Sequence, residues 1–392
     1  MEARKFDSPH RNRAVTDAVY GGTGTDISQM REARARLEPP PSPYKVFWGE
    51  LHGHSNLSDG TVDIDSYFRS ARDVARLDFC ALSDHDHGGV GRPELWDAGK
   101  WELIQDRVAT YHDPGRFVTL LAYERDSYPW YNNLVLYYRE GRGEMVRGVA
   151  DGEITRDELI ALLARDDIIS VPHHTTTIDG GSDFSSIPLE LMTPLMEVYS
   201  KWGTSEYFGN PNPVRCEARG SAWRDALEKG ARMGCIAGSD EHGPNPGSFG
   251  KTAAPNNLRY PNPGLAAVLA TELTREAIYE ALQARRCYAA SGARIAIDFR
   301  INGEPMGHEL ALRRDIRKDV YTRVTGEGPL LTVTVVKNGE DYIVHHVDGA
   351  ANTFAAHFYD YRTARATDYY YVRATQMDGR QAWTSPIWVT GG

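Results

Sequence analysis

Apolar and polar positions follow two different patterns along the chain. Between Lys45 and about Gly292, short apolar runs alternate with segments of helical period. The runs predict strands and read "YKVFWGEL", "LDFCALSD", "RFVTLLAYE", "NNLVLYY", "DIISVPHH", "LMEVYS", "MGCIAGSD", "AAVLA" and "CYAASG". The segments that predict helices include "TVDIDSYFRSARDVA", "TRDELIALLARD", "SAWRDALEKGA" and "TREAIYEALQARR". Strands that alternate with helices predict a parallel sheet, and this many units favour a barrel.

Beyond Gly292 the helical segments stop. Short strand-like runs such as "RIAIDFRING", "LLTVTVVKNG" and "DYYYVRATQMDG" end in Asn-Gly or Asp-Gly turns. They predict a small C-terminal antiparallel β-sandwich over residues 293–392. Residues 1–44 are polar and carry the helix candidate "ISQMREARARLE" before "PPPSPY", which predicts an N-terminal arm with a proline-rich linker. The predicted α/β barrel domain therefore spans residues 45–292.

The charge of the chain limits the classes of partner. The formal net charge is −10, which argues against nucleic acid as a partner. A small anionic substrate remains compatible, because bound metal ions reverse the local sign of a pocket. The four cysteines form no CxxC pair, which favours a reducing, cytoplasmic setting. There is neither an apolar leader nor a run of eighteen apolar residues, so no membrane partner is expected. Homo-oligomerisation is left open.

Metal-ligating residue types recur at the ends of the predicted strands. In a parallel α/β barrel the C-terminal strand ends meet at one rim, where functional side chains gather. Five predicted strands end in histidine, aspartate or glutamate. These candidates are His52 and His54 with Asp59 in the following loop, His85, Glu124, His173 and His174, and Asp240 and His242. The repeated placement predicts one shared site.

The ligand types indicate which ions such a site would hold. Imidazole and carboxylate without thiolate favour manganese, iron or zinc. The ligands are too many for one ion, which predicts two or three divalent ions that share a bridging carboxylate. Chance is the alternative, since a lone HxH pair is a weak signal and Glu124 alone could belong to an ion pair. Clustered imidazoles and carboxylates are costly to bury without a cation, however, which favours the metal site.

The same motifs, in this order, resemble those of the polymerase-and-histidinol-phosphatase (PHP) superfamily. They read "HGHSNLSDG", "ALSDHD", the strand-end Glu124, "PHH" and "GSDEHG". The wording "WGELHGHSNLSDG", with the C-terminal "YYYVRATQMDGRQAWTSPIWV", is most similar to the PHP-like DUF3604 family. The resemblance implies a distorted seven-stranded (β/α) barrel over residues 45–292 that acts as a metal-dependent hydrolase.

The resemblance also implies how the ligands divide among the ions. The implied sets are His52, His54, Glu124 and Asp240 for one ion, the bridging Glu124 with His173 for a second, and Asp59, His85 and His242 for a third. Many relatives carry a further histidine after the strand that reads "MEVYS" here, and this chain has Trp202 near that place. Glu197, Glu206 or a water would have to replace that ligand.

The implied reaction is hydrolysis of a small phosphate ester or diester by a metal-bridging hydroxide. One alternative is amidohydrolase-type cleavage of a C–N or carboxylic ester bond, and another is a non-catalytic metal-containing binding protein. His174 and Asp86 are candidates for orienting a ligand or donating a proton to the leaving group. Arg125, directly after Glu124, is the main candidate for binding an anion. Further candidates for that role are Lys201, Arg215 and Lys251.

Overall fold

The apolar runs before residue 292 form strands that are mostly buried. The computed structural model describes residues 41–86, 98–128, 131–146, 155–177, 181–214, 217–248, 262–313, 316–363 and 365–391. The strands are β1 (Lys45–Glu50), β2 (Phe79–Leu82), β3 (Val118–Tyr128), β4 (Asn132–Tyr138), β5 (Ile168–Pro172), β6 (Leu195–Ser200), β7 (Gly203–Thr204), β8 (Gly234–Ala237), β9 (Gly264–Ala270) and β10 (Cys287–Ser291). The helices are α1 (Ile64–Arg69), followed by a π-helical turn over Ser70–Val74, α2 (Ala98–Tyr111), α3 (Arg156–Leu163), a short 3₁₀ turn over Leu189–Leu191, α4 (Trp223–Lys229) and α5 (Arg275–Gln283).

The directions of these strands decide which of their ends meet. β1 pairs in parallel with β2, and β2 pairs in parallel with β3. β5 runs in the direction of β3, because both are antiparallel to β4. A parallel bridge between Gly53 and Glu241 brings the segment after β8 beside the segment after β1. The C-terminal ends of β1, β2, β3, β5 and β8 therefore lie at one edge.

Strand β3 shows how the sheet aims side chains toward that edge. Successive side chains of a strand point to opposite faces. Val118, Leu120 and Ala122 enter one buried apolar cluster, whereas Leu121 and Tyr123 enter another. The first cluster also receives side chains from β2, β4, β5, β6, β8, β9 and β10. The next residue on the same face as Ala122 is a glutamate, which places its carboxylate at the end of this apolar core.

Strands without intervening helices make up the described residues after 292. They are β11 (Ala296–Ile301), β12 (Glu304–Pro305), β13 (Glu309–Leu312), β14 (Lys318–Thr325), β15 (Leu330–Lys337), β16 (Glu340–His346), β17 (Thr353–Asp360), β18 (Thr367–Gln376), β19 (Gln381–Thr384) and β20 (Ile387–Gly391). β11, β12, β14 and β17 form one antiparallel sheet, and the others join the main sheet. The junction is the antiparallel pairing of β10 with β19.

The mixed α/β class and the strand-rich C-terminal region agree with the sequence-based expectation, but the seven-stranded (β/α) barrel is not confirmed. β4 and β9 run antiparallel to their neighbours in the main sheet, and antiparallel neighbours need no crossover helix. Strands therefore outnumber helices. The domain division at residue 292 stays a prediction, and the predicted helix "ISQMREARARLE" lies outside the described residues.

The helices begin at side-chain caps that the sequence displays. Thr155 accepts a hydrogen bond from the Glu158 backbone N–H, and the Glu158 carboxylate accepts one from the Thr155 N–H. This reciprocal arrangement is a capping box. Thr274 caps α5 in a similar way by accepting from the Ala277 N–H. Within the described ranges, no helix is long and apolar enough to cross a membrane.

Candidate metal centre

Two histidines continue the line of β1 into the interior. His52 and His54 are fully buried, and their rings are 5.4 Å apart. The His54 N–H donates to the Glu241 carbonyl at 2.7 Å, which holds this segment extended. Because side chains alternate along an extended chain, both imidazoles point to the same side. The HxH spacing thus delivers two ligand atoms to one place.

The carboxylate of Glu124 lies between two groups of imidazoles. Its Oε2 is 3.0 Å from His52 Nε2 and 3.3 Å from His54 Nε2. Its Oε1 is 2.9 Å from His173 Nε2 and 3.8 Å from His85 Nδ1. Each oxygen therefore faces different imidazoles, which is the position that a carboxylate bridging two ions requires.

Asp240 divides its oxygens in a comparable way. Its Oδ1 lies 3.0 Å from His54 Nε2 and 3.4 Å from His52 Nε2. Its Oδ2 is hydrogen-bonded to His174 Nε2 at 2.7 Å and accepts the indole N–H of Trp202. One oxygen faces the imidazoles that follow β1, and the other is engaged by two side chains outside the predicted ligand set.

Asp240 and His174 also share an uncommon backbone conformation. Their φ angles are +54° and +51°, in the left-handed region that non-glycine residues rarely adopt. Such residues persist only where the surrounding structure supports them, and they cluster at functional sites. Two such residues joined by one hydrogen bond indicate that this contact is held in place by the fold.

A third set of side chains surrounds Asp59 near the surface. Asp59 Oδ1 is 3.3 Å from His242 Nε2, 3.7 Å from His85 Nε2 and 3.9 Å from His54 Nδ1. The rings of His85 and His242 stack on that of His54 with centroids 4.6 and 4.2 Å away. Asp59 is partly exposed, so this set forms the solvent side of the centre.

All eight predicted metal ligands are brought together, and one further carboxylate joins them. In each of three groups, one ligand atom per residue lies within 4.8 Å of the others. The groups are His54, Asp59, His85 and His242; His52, His54, Glu124 and Asp240; and His52, His173 and Glu197. Their role as ligands remains a prediction.

Unsatisfied ring nitrogens show that a cation fits these groups. His54 Nδ1 and both ring nitrogens of His173 are buried without a hydrogen-bond partner. His173 Nε2 is close to Glu124 Oε1, but not in hydrogen-bond geometry. Buried polar atoms are rarely left in this condition in native proteins. Imidazole nitrogens and carboxylate oxygens that converge in this way, with some of the nitrogens left unsatisfied, are the donor types of a divalent transition-metal site.

The shifted pKa values of the buried histidines and carboxylates also favour a bound cation. Burial alone would lower the pKa of His54, but hydrogen bonds to Asp240 and Glu124 raise it to about 10. Burial alone would raise the pKa of Glu124, but neighbouring imidazoles, His173 first, hold it well below its ordinary value. Without metal, the raised pKa of His54 favours a proton on that ring beside the buried carboxylates. Metal binding would displace that proton, because histidine ligates as the neutral ring.

Glu197 is one of the two carboxylates that the sequence offered in place of the histidine that many relatives carry. Its Oε2 lies 2.9 Å from His52 Nδ1, and both side chains are buried. A carboxylate in this position fixes the tautomer and the orientation of a metal-ligating histidine. Gly238 permits the approach, since a Cβ there would lie 2.5 Å from Glu197 Oε2. Glu206 lies elsewhere, where it accepts from Trp383 Nε1 at 2.7 Å.

Two further polar residues, which the sequence did not predict, form hydrogen bonds that position the centre. Asn133 donates its side-chain N–H to Glu124 Oε1 at 3.0 Å. Glu50 accepts from the backbone N–H groups of His52 and Ser239 at 3.0 and 2.8 Å, and it joins the ends of β1 and β8. Burial raises the pKa of Glu50 to about 7. Glu50 alternates with His52 and His54 in the sequence, and that spacing was an available signal.

The predicted catalytic and anion-binding residues lie at different depths. His174 is partly exposed beside Asp240, whereas Asp86 and Arg125 are both buried, with Arg125 Nε 4.0 Å from Asp86 Oδ2. Lys201 is fully buried in an ion pair with Glu241. Arg215 and Lys251 lie outside the described residues. Among the predicted catalytic residues, His174 is the one with a polar atom next to a candidate ligand and access to solvent.

Replacement of His174 should impair turnover without emptying the site. We expect His174→Ala to retain its metal and to lose roughly 10–100-fold in turnover, the usual effect of removing a group that orients a ligand. Metal analysis and steady-state kinetics on one sample measure both quantities. His174→Asn controls for backbone strain, because asparagine tolerates a positive φ. Loss of metal from both variants would show that His174 is itself a ligand.

Comparisons with known proteins bear on the family. The model of DUF3604, a family of unknown function, matches residues 222–345, a segment that contains Asp240 and His242. An uncharacterized protein of Chlamydia pneumoniae is 29 % identical over 369 residues, which cover 88 % of this chain and 57 % of the relative. One of Chlamydia muridarum is 28 % identical over 383 residues, which cover 89 % of this chain and 58 % of the relative. The chain thus spans less than two thirds of these relatives.

A similarity to a solved structure was also found. A two-domain protein from Bacteroides vulgatus, containing a predicted PHP-like metal-dependent phosphoesterase, is 14 % identical, with a TM-score of 0.44. The similarity covers 89 % of this chain and 98 % of that chain. The motifs at the strand ends predicted a resemblance to the DUF3604 family, and the family model confirms it over residues 222–345.

Proposed function

We propose that this chain is a metal-dependent hydrolase that cleaves a small, anionic phosphate ester or diester. The observation that carries the proposal is the position of Glu124, whose two oxygens face different buried imidazoles. A carboxylate placed between two sets of candidate ligands in this way could bind two neighbouring metal ions at once. The phosphoester class rests on the resemblance of the strand-end motifs to the PHP superfamily.

The residues that would hold the ions are the eight predicted ligands, which the fold gathers into adjoining groups. When bound, divalent manganese, iron or zinc would supply Lewis acidity, which activates water and offsets negative charge on the substrate. The ligand set excludes thiolate, as expected for these metals in hydrolytic sites.

Side chains of the chain itself would position the ligands and hold a proton. Trp202 and His174 both bond to Asp240 Oδ2, which leaves Oδ1 directed toward His52 and His54. Asn133 restrains Glu124 from the other side. His174 is hydrogen-bonded to Asp240 through Nε2 and is partly exposed, so it would be placed to donate a proton to a leaving group.

A substrate panel on the metal-loaded protein tests the proposal. Protein purified after growth with manganese, iron and zinc would be assayed with p-nitrophenyl phosphate and bis(p-nitrophenyl) phosphate. Anilides and lactones of similar size form the parallel panel. We expect phosphoester hydrolysis that a chelator abolishes and added metal restores. Hydrolysis of only the anilides or lactones would instead identify an amidohydrolase-type enzyme, and metal-loaded protein inactive on both panels would favour a binding protein.

Metal removal should also destabilise the fold. A ligand that binds only the native state raises the melting temperature, and the candidate ligands are mostly buried. We expect a chelator to lower the melting temperature by roughly 5–10 °C, corresponding to a few kcal/mol of binding energy. Differential scanning fluorimetry with and without restored metal measures the shift. A variant that lacks both His52 and His54 is the control, and an equal shift in that variant would contradict the assignment.

A further inference from the structure

A cavity with a mixed polar and apolar lining lies at the end of the strands opposite to the candidate metal centre. Its volume is about 440 Å³, within the range of small-molecule sites. It is lined at the N-terminal ends of β5, β6, β8 and β10. The candidate ligands follow the C-terminal ends of the strands, so the two sites are separated by the length of the sheet.

Three loops with the same topology place an arginine at this cavity. Arg165 follows α3 and precedes β5, Arg232 follows α4 and precedes β8, and Arg285 follows α5 and precedes β10. All three side chains line the cavity, and no carboxylate is among its described lining residues. Of the other polar lining side chains, Thr193 donates its hydroxyl to the Leu195 carbonyl and Gln283 donates its amide N–H to the Asp166 carbonyl, whereas the hydroxyl of Ser170 is not engaged. Guanidinium and hydroxyl donors around one volume favour an anion.

Among the described residues, the ion pairs of these three arginines involve two carboxylates. Arg165 is paired with Asp167, with Arg165 Nη2 2.6 Å from Asp167 Oδ2. Arg232 and Arg285 share the carboxylate of Glu309. Arg232 Nε lies 3.2 Å from Glu309 Oε2, and Arg285 Nη2 lies 2.8 Å from Glu309 Oε1. Three guanidinium groups therefore face two carboxylates, which leaves one positive charge. Arginines near a helix C-terminus can stabilise that helix through its dipole without binding any ligand. That role does not account for three arginines that line the same cavity.

A buried hydroxyl supplies the second observation. Ser170 lies in β5, is 2 % exposed and lines the cavity. Its Oγ has no hydrogen-bond partner. An unsatisfied buried hydroxyl costs about 1–3 kcal/mol, so an apolar residue would be favoured here if nothing bound to it. Apolar side chains from α3, β5 and the segment 189–192 complete the lining.

We propose that this cavity is a second ligand site, for a small organic anion with a phosphate-like or carboxylate head and an apolar body. The head would bind between Arg232, Arg285 and Ser170, and the body would lie against the apolar lining. The site is independent of the proposed hydrolase activity, because it contains none of the candidate metal ligands.

Isothermal titration calorimetry of the metal-loaded full chain tests the site. The probe is phenylphosphonate, a dianion on an aromatic ring with no ester bond to hydrolyse. Benzoate distinguishes a carboxylate head from a phosphate-like one, and benzyl alcohol is the neutral control. Because phosphonate also binds metals, the titration is repeated on His54→Ala. The variants are Arg232→Gln and Ser170→Ala, and the matched control is Arg72→Gln, another partly exposed arginine paired with a carboxylate.

We expect the wild type to bind phenylphosphonate at this cavity in addition to any bound at the metals, and His54→Ala to keep the binding at the cavity. Loss of a charge-assisted hydrogen bond should weaken binding by roughly 10–100-fold in Arg232→Gln, and loss of a neutral one by about fivefold in Ser170→Ala. Arg72→Gln should bind like the wild type. Absence of binding to the wild type, its complete loss in folded His54→Ala, or equal weakening in Arg72→Gln and Arg232→Gln would each overturn the proposal. Circular dichroism establishes that each variant is folded.

Discussion

Glu124→Gln should reduce hydrolysis by several orders of magnitude and remove about one metal ion per chain, while the protein still folds. A neutral amide offers one good oxygen and no charge to offset two cations. Both carboxylate oxygens of Glu124 are in use, one toward His52 and His54 and the other toward His173. Metal analysis, circular dichroism and phosphoester kinetics on the same preparation measure the three effects.

Glu197→Gln is the matched control for that substitution. It makes the same change in a buried carboxylate that touches His52 Nδ1 rather than Nε2. We expect it to weaken metal binding by roughly 10–100-fold and to retain full occupancy at saturating metal. If Glu124→Gln keeps its metal and its activity while Glu197→Gln loses both, the ligand and the orienting residue have been interchanged.

The double substitution His52→Ala/His54→Ala should abolish metal binding. The wild type is expected to carry about two or more transition-metal ions per chain, and each of the three candidate groups contains at least one of these two rings. Elemental analysis after growth with manganese, iron and zinc gives the stoichiometry. The matched control is His345→Ala/His346→Ala on β16, which should keep the full metal content. Wild-type protein with less than about one ion per chain would rule out the centre.

Most residues of the candidate site could be named from the sequence, because they follow the ends of strands. Apolar runs located the strands, and the polar residue that closes each run was enough to name His85, Glu124 and Asp240. Asp59 was found through its motif, although it lies in a loop. Parallel strand ends at one edge convert this linear pattern into a cluster. His52 and His54 follow β1, and alternation along this extended segment puts both imidazoles on the same side.

Contacts between distant residues could not be predicted in this way. Glu197 lies inside the buried strand β6, and nothing in its neighbourhood shows that it meets His52. Asn133 is at the start of β4 and resembles a turn residue. Helix α2 was missed although Trp101, Ile104 and Val108 have helical spacing. Strand direction was also missed, because apolar periodicity is the same in both directions.

The pairing of β10 with β19 makes the two regions depend on each other. The Cys235 backbone N–H donates to Ser385 Oγ at 3.0 Å, and Trp383 Nε1 donates to Glu206 at 2.7 Å. A chain that ended at residue 292 would leave the edge of β10 and the Glu206 carboxylate without these partners, and bare edges promote aggregation. The strand-rich C-terminal region thus covers an open strand edge of the region that carries the candidate metal centre, and we expect the two regions to melt in a single cooperative transition.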